Sequence, residues 1–163
     1  MKKIICIKKE KLTKDVLHKI KNIDDLFYTD IDLSTSWYLE RYNEEHYGYL
    51  IYDDNNCFGY IVSVPIKKEL WDALLNGVMT NDYYINPKIF INESDYNYIV
   101  SCNILKEYQC NGYGTMLMKE LIKESKGYLC ALTVTKEGFL LASKYLKLQN
   151  EINDNIKIMI VKL

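Results

Sequence analysis

The segment Ile104-Leu105-Lys106-Glu107-Tyr108-Gln109-Cys110-Asn111-Gly112-Tyr113-Gly114-Thr115 has the spacing best suited to holding an anion. It reads as a strand, a glycine-bearing loop from Gln109 to Gly114, and an amphipathic helix from Thr115 to Ser125. The first turn of a helix leaves N–H groups without intrachain acceptors, and the macrodipole adds about half a positive charge there, so backbone alone can hold a pyrophosphate. Gly112 and Gly114 put no Cβ in the way. An ordinary strand-to-helix turn uses the same residues, and the loop alone leaves both readings open. Two other phosphate motifs fit worse: a dinucleotide fingerprint needs a third glycine where Leu117 stands, and the G-K-[ST] of a P-loop is absent. Cys110 invites a covalent route, since a thiol near a helix N-terminus can ionise more easily, but neither histidine, His18 or His46, lies in this part of the chain to serve as its base.

Carboxylates are the other candidates for chemistry. Asp24, Asp25, Asp30 and Asp32 surround the connection between the first two expected helices and could attract a cationic amine such as a polyamine, lysine or an aminoglycoside. Helix capping and solvated charge account for them as well. The strand Tyr98 to Leu105 contains no carboxylate; were a proton to be removed beside it, water or one of Glu40, Glu44, Glu45, Glu93 and Asp95 would have to serve, and surface solvation explains each of these at least as well. Tyr83, Tyr84, Phe90 and Tyr96 are candidates for an acceptor pocket or for a contact between two copies of the chain, against plain packing as core and rim of their segment.

The elements that must position these groups fit one α/β domain over residues 1–163. The 163 residues are 48% hydrophobic and 26% charged, enough for a packed core of that size. Lys+Arg at 21 against Asp+Glu at 22 gives a net charge of −1, and Arg41 is the one arginine, which argues against nucleic acid as a partner. The 5 cysteines (Cys6, Cys57, Cys102, Cys110, Cys130) form no CxxC pair, so neither a disulfide framework nor a metal site is expected. The apolar run Ile4 to Ile7 is far shorter than the roughly 7 to 15 residues of a signal peptide or the roughly 20 of a membrane helix, so no membrane partner is expected and the cytoplasm is the default compartment.

In order along the chain, a strand is predicted over 3–8, then a helix capped by Thr13 with Val16, Leu17, Ile20 and Phe27 on one stripe. A second helix follows from the caps Ser34 to Ser36. Residues 47–52 and 57–64 read as a hairpin turning through Asp53 to Asn56, and 67–79 as a helix. A strand over 98–105, the loop, its helix, Gly127 at the helix C′ position and a strand over 128–134 come next. The last elements are a helix over 137–146 and a hairpin over 148–163.

The loop and its surroundings resemble the GNAT superfamily of acyl-CoA-dependent N-acetyltransferases. Gln109, Gly112 and Gly114 match its [Q/R]-x-x-G-x-[G/A] loop, and Ile104 to Tyr108 resembles the apolar residue, spacers, acid and aromatic that precede it. Val134 and Tyr145 stand eleven positions apart, the family's spacing between an apolar residue of its fifth strand and the Tyr of a Y-x-K-x-G-F stretch. Gln149-Asn150 replaces the usual Gly-Phe, Gly138 stands where an Asn often opens the helix, and 66–97 exceeds the usual connection. The resemblance implies a mixed, mainly antiparallel sheet flanked by helices, with strands four and five splayed apart. It implies acetyl-CoA as cosubstrate and no metal, with the pantetheine on backbone of Cys102, Asn103 and Ile104 and the pyrophosphate on N–H groups of Gln109, Cys110, Asn111, Gly112, Tyr113, Gly114 and Thr115. A primary amine would attack the thioester directly, and Tyr145 would protonate the leaving thiolate. A CoA-binding sensor or partner-binding module without turnover is the alternative.

Overall fold

The computed structural model describes residues 5–79, 81 and 85–163. Residues 3 and 4 of the first predicted strand lie outside these, as do Tyr83 and Tyr84. Seven strands form one mixed sheet in the order β1-β2-β3-β4-β5-β7-β6: β1 Ile5–Lys11, β2 Tyr47–Asp53, β3 Asn56–Pro65, β4 Tyr96–Ile104, β5 Tyr128–Thr133, β6 Lys147–Glu151 and β7 Lys157–Lys162. The helices are α1 Lys14–Asp24, α2 Thr35–Arg41, α3 Lys68–Leu75, α4 Tyr113–Glu124 and α5 Lys136–Ala142. The chain clusters into two compact units, Met1–Val62 with Ser101–Leu121 and Ser63–Val100 with Ile122–Leu163, and β3 and β4 each run from one into the other.

In the first unit β1 lies antiparallel to β2, and β2 to β3, through a turn in which Asp54 has φ 55°. Leu50, Ile51, Phe58 and Ile61 are fully buried. Thr13 caps α1 as the sequence predicts, its hydroxyl accepting from Val16 N, and the stripe Val16, Leu17, Ile20 and Ile23 is buried. Each such side chain contributes roughly 1.5–3 kcal/mol relative to exposure. Phe27, predicted on that stripe, falls past the end of the helix and is exposed. Ser34 caps α2 by accepting from Trp37 N.

In the second unit, β4 and β5 are parallel and pair only from Tyr96 opposite Tyr128 to Ile99 opposite Ala131, although β4 runs on to Ile104 and β5 to Thr133. This early end to the ladder is the splay expected from the resemblance. β5 pairs antiparallel with β7, and β7 with β6. The segment after β3 is anchored by a bridge between Ile66 and Phe90 and by buried Leu70, Trp71 and Leu74 of α3. Trp71, Tyr96 and Tyr128 form an aromatic trio with ring centroids 5.0–5.7 Å apart, so Tyr96 packs inside this unit.

Several boundaries depart from expectation. Helix α3, expected over 67–79, ends at Leu75, where Asn76 and the left-handed Gly77 at φ 68° turn the chain. The last helix ends at Ala142, leaving Tyr145 in the turn that follows. Helix α4 ends at Glu124, so Gly127 lies one position past C′ and serves a different purpose. Its φ is 76°, and a Cβ there would stand 2.3 Å from the carbonyl oxygen of Asp95, the acceptor of the Tyr128 N–H at 2.7 Å. Only a residue without a side chain lets the chain enter β5 so close to that backbone. Gly127→Ala should therefore cost about 1–3 kcal/mol, lowering Tm by roughly 2–4 °C per kcal/mol in a thermal melt; an unchanged Tm would refute this account.

Candidate active site

Beyond β4 the chain takes a 3-10 turn, Lys106–Tyr108, then reaches α4 through Gln109 to Gly112. The helix starts at Tyr113, two residues before the predicted start, so Gly114 lies in its first turn. Aromatic packing fixes the approach. The Tyr108 ring stacks on Phe58 at 4.0 Å, its hydroxyl lies 3.1 Å from Asp53 Oδ2, and Tyr113 meets the same Phe58 edge-on at 5.1 Å. Polar side chains brace the turn: Gln109 Nε2 donates to Ile104 O at 2.8 Å, and Asn111 Nδ2 donates to Gln109 O at 2.9 Å and Tyr108 O at 3.1 Å.

Two left-handed residues, Cys110 at φ 62° and Gly112 at φ 81°, turn successive N–H groups outward. The N–H groups of Cys110, Asn111, Gly112, Tyr113 and Gly114 have no acceptor among the described residues, and the first helical bond is Met116 N to Gly112 O at 3.0 Å. A Cβ built on Gly112 would meet no atom within 4 Å. A run of open donors at the positive end of a twelve-residue helix, with clear space at the glycine, fits a pyrophosphate.

Cys102, Asn103 and Ile104 end β4 half-buried, and burial raises the Cys102 thiol to about 12, leaving it a poor nucleophile at neutral pH. Cys110 is exposed. Beside Leu105, a cavity of about 340 Å³ opens against Lys19, Asn22 and Ile23 of α1 and Asn55 and Asn56 of the β2–β3 turn. Tyr145, in the second unit, is half-buried, and its hydroxyl has no partner among the described residues. Glu40, Glu44, Glu45, Glu93 and Asp95 are all exposed. The replaced Gly-Phe is explained within the second unit: Gln149 is the extra residue of a bulge between β6 and β7, and Asn150 Nδ2 bonds Leu75 O at 3.3 Å, holding the end of α3.

Among the four aspartates of the first connection, Asp24 stands apart. Asp25 pairs with Lys21 at 2.7 Å, and Asp30 and Asp32 are exposed, whereas Asp24 is only 4% exposed. Its carboxylate accepts from Tyr38 OH at 2.6 Å, from Tyr60 OH in a very short bond, and from Asn103 Nδ2 at 2.8 Å. Tyr60 O also lies 2.9 Å from Ser101 Oγ. No cation among the described residues pairs with it. Burial, only partly offset by these bonds, raises its pKa above the usual carboxylate range, and raises those of Tyr38 and Tyr60 as well. Sequence reading named Asp24 but could not separate it from its neighbours. The usable signal was its place in the last turn of an apolar-striped helix, where a carboxylate is poorly suited to the dipole.

The sheet order, the splayed parallel pair and the open loop before α4 describe one class of fold, and the sequence agrees. The chain belongs to the Acetyltransferase (GNAT) family, whose signature matches residues 17–139. It is similar in structure to the loading GNATL domain of CurA from Lyngbya majuscula, with TM-score 0.67 and 13% identity over 96% of this chain and 98% of that one. It is similar also to NAA60 of Arabidopsis thaliana in complex with acetyl-CoA, with TM-score 0.65 and 12% identity over 98% and 100%. The ribosomal-protein-S18-alanine N-acetyltransferase of Escherichia coli gives TM-score 0.61 and 10% identity over 95% and 91%. No curated protein matches by sequence.

Two outcomes follow from this geometry. Gly112→Ala should cost about 1–2 kcal/mol of stability through left-handed strain alone. It should weaken acetyl-CoA binding in calorimetry by more than that strain, because the methyl enters the space beside the open donors; unchanged affinity would refute this. Asp24 has a folded pKa raised above its ordinary 3.8, so its contribution to stability is fully present below about pH 4 and is lost as pH rises through the folded value. The unfolding free energy of the unaltered chain minus that of Asp24→Asn should therefore fall as pH rises above about 4, and a flat difference in urea titrations would contradict it.

Proposed function

We propose that the chain is an N-acetyltransferase that moves an acetyl group from acetyl-CoA to a primary amine. The observation that carries this reading is the run of unpaired N–H groups from Cys110 to Gly114 around an unobstructed Gly112. These donors would hold the pyrophosphate, and the end of β4 at Cys102, Asn103 and Ile104, past Ile99, the last residue paired with β5, would offer backbone to the pantetheine arm. Acetyl-CoA supplies a thioester whose carbonyl carbon accepts the amine nitrogen while the carbon–sulfur bond breaks. Structurally similar proteins support that cosubstrate: NAA60 of Arabidopsis thaliana is complexed with acetyl-CoA, and the YlbP N-acetyltransferase of Bacillus subtilis with coenzyme A.

Tyr145 is the group assigned to protonate the departing sulfur. A phenol with an ordinary pKa of about 10 keeps its proton at pH 7, and this hydroxyl has no protein partner to compete for it among the described residues. Tyr145→Phe should lower kcat about 10²-fold or more while leaving the KM for acetyl-CoA within a small factor. Thiol release measured over a panel of amines, with calorimetry for acetyl-CoA alongside, tests both claims. Tight binding with no turnover on any amine would replace the enzyme by a CoA-binding sensor, and undiminished kcat in Tyr145→Phe would remove that residue from the chemistry.

A further inference from the structure

A primary amine has a pKa of about 10, so at pH 7 it is almost wholly ammonium and has no electron pair with which to attack. The proposed reaction therefore needs a proton acceptor, and β4, Tyr96–Ile104, carries no carboxylate of its own. Asp24 brings one to that strand from the end of α1. It is an expensive residue: nearly fully buried, unpaired with any cation among the described residues, and at the negative end of its helix dipole. Phenylalanine-like packing would be cheaper at such a place, and α2, β3 and β4 each supply a donor to keep the carboxylate there.

The hydrogen bonds have a direction. Tyr60 has a single hydroxyl hydrogen, and it goes to Asp24 Oδ1. The 2.9 Å contact between Tyr60 O and Ser101 Oγ must then run with Ser101 as donor. Ser101 is half-buried on β4 next to Cys102, and Asn103 links the cluster to Tyr28, exposed at its rim, at 3.4 Å. A chain of hydroxyls thus leads from the stretch of β4 assigned to the cofactor arm inward to a carboxylate.

We infer that Ser101, Tyr60 and Asp24 form a relay that takes the proton of the acceptor ammonium, with the Asp24 carboxylate at its end; this rests on the acetyltransferase reading above. The ammonium N–H bond breaks as its proton bonds to Ser101 Oγ, the Ser101 hydrogen passes to Tyr60 O, and the Tyr60 hydrogen passes to Asp24 Oδ1. Both hydroxyls are restored, Asp24 becomes the acid, and the amine keeps its electron pair. When the carbon–sulfur bond breaks, the nitrogen gives up its second surplus proton, which balances the one the thiolate takes up; the proton on Asp24 then returns along the same path to water, and the overall reaction releases one proton. The titratable and charged groups around Asp24 are Tyr38 of α2, Tyr60 of β3, Tyr28 and Asp25, while β4 contributes the neutral Ser101 and Asn103. Burial raises the two buried phenols, so they stay protonated while the carboxyl, itself raised, changes charge. Asp24 acts through hydroxyls and is a positioning and proton-storing residue; Ser101 is the member that would meet the amine.

The test is thiol release by the full chain from pH 6 to 10, with n-butylamine, lysine, spermidine and a tetrapeptide bearing a free N-terminus as probes. Asp24→Asn should lower kcat/KM about 10²-fold at pH 7, and the deficit should close toward pH 10, where the amine arrives neutral. Tyr60→Phe and Ser101→Ala preserve packing, break the relay at its other members and should show the same convergence; they decide the matter if Asp24→Asn does not fold. Acetyl-CoA affinity should stay unchanged in all three. A deficit independent of pH, or Tyr60→Phe and Ser101→Ala rates equal to the unaltered chain at pH 7, overturns the relay and leaves the acetyltransferase standing. Absence of release by the unaltered chain on every probe overturns both.

Discussion

A carboxylate buried without a cation must be satisfied by neutral donors, and much of the first unit is organised around meeting that demand for Asp24. Helix α1 delivers the acid, α2 delivers Tyr38, β3 delivers Tyr60 and β4 delivers Asn103. Breaking one of these bonds would leave a desolvated charge with fewer partners, which costs far more than one exposed hydrogen bond contributes. The four elements are thereby tied through a single functional group as well as through their apolar faces. This tie also sets the side chains at the end of β4, because Asn103 cannot turn away without leaving Asp24 short of a donor.

The loop before α4 is built on another principle. The donors between Cys110 and Gly114 belong to the backbone, so their direction follows from two left-handed residues and from the stacking of Tyr108 and Tyr113 on Phe58. Side chains there brace the turn and leave the donors open, as Gln109 and Asn111 do. Backbone donors tolerate wide change in sequence, which fits structural likeness at 10–13% identity. The cluster around Asp24, made of particular hydroxyls, one amide and one acid, depends on side chains instead.

That contrast explains what could be read from the sequence. The loop was legible because its glycines and its strand-to-helix setting follow local rules, and the caps Thr13 and Ser34 and the β2–β3 hairpin were legible for the same reason. The pattern puts the start of α4 two residues late because Gly114 reads as loop although it sits in the first turn, and it lengthens α5 because Lys144 to Leu146 continue a helical pattern that the turn after Ala142 breaks. Gly127 reads as a helix terminator, whereas the constraint on it is a carbonyl thirty-two positions upstream. Asp24 shows in the sequence only as an acid in the last turn of an apolar-striped helix; its partners come from residues 38, 60 and 103, a meeting that local spacing does not announce. The bulge at Gln149 was hidden likewise, since it depends on register with β7.

The aromatic trio of the second unit has an optical consequence. The chain has 2 tryptophans, and they fall one to each unit: Trp37 lies under the Arg41 guanidinium at 4.1 Å in the first, and Trp71 packs against Tyr96 and Tyr128 in the second. One indole thus emits beside a guanidinium and the Tyr38 ring, and the other beside two phenols. The protein carries its own pair of fluorescent reporters, each confined to one half of the molecule, so intrinsic emission can follow the loss of structure in either half without an added dye.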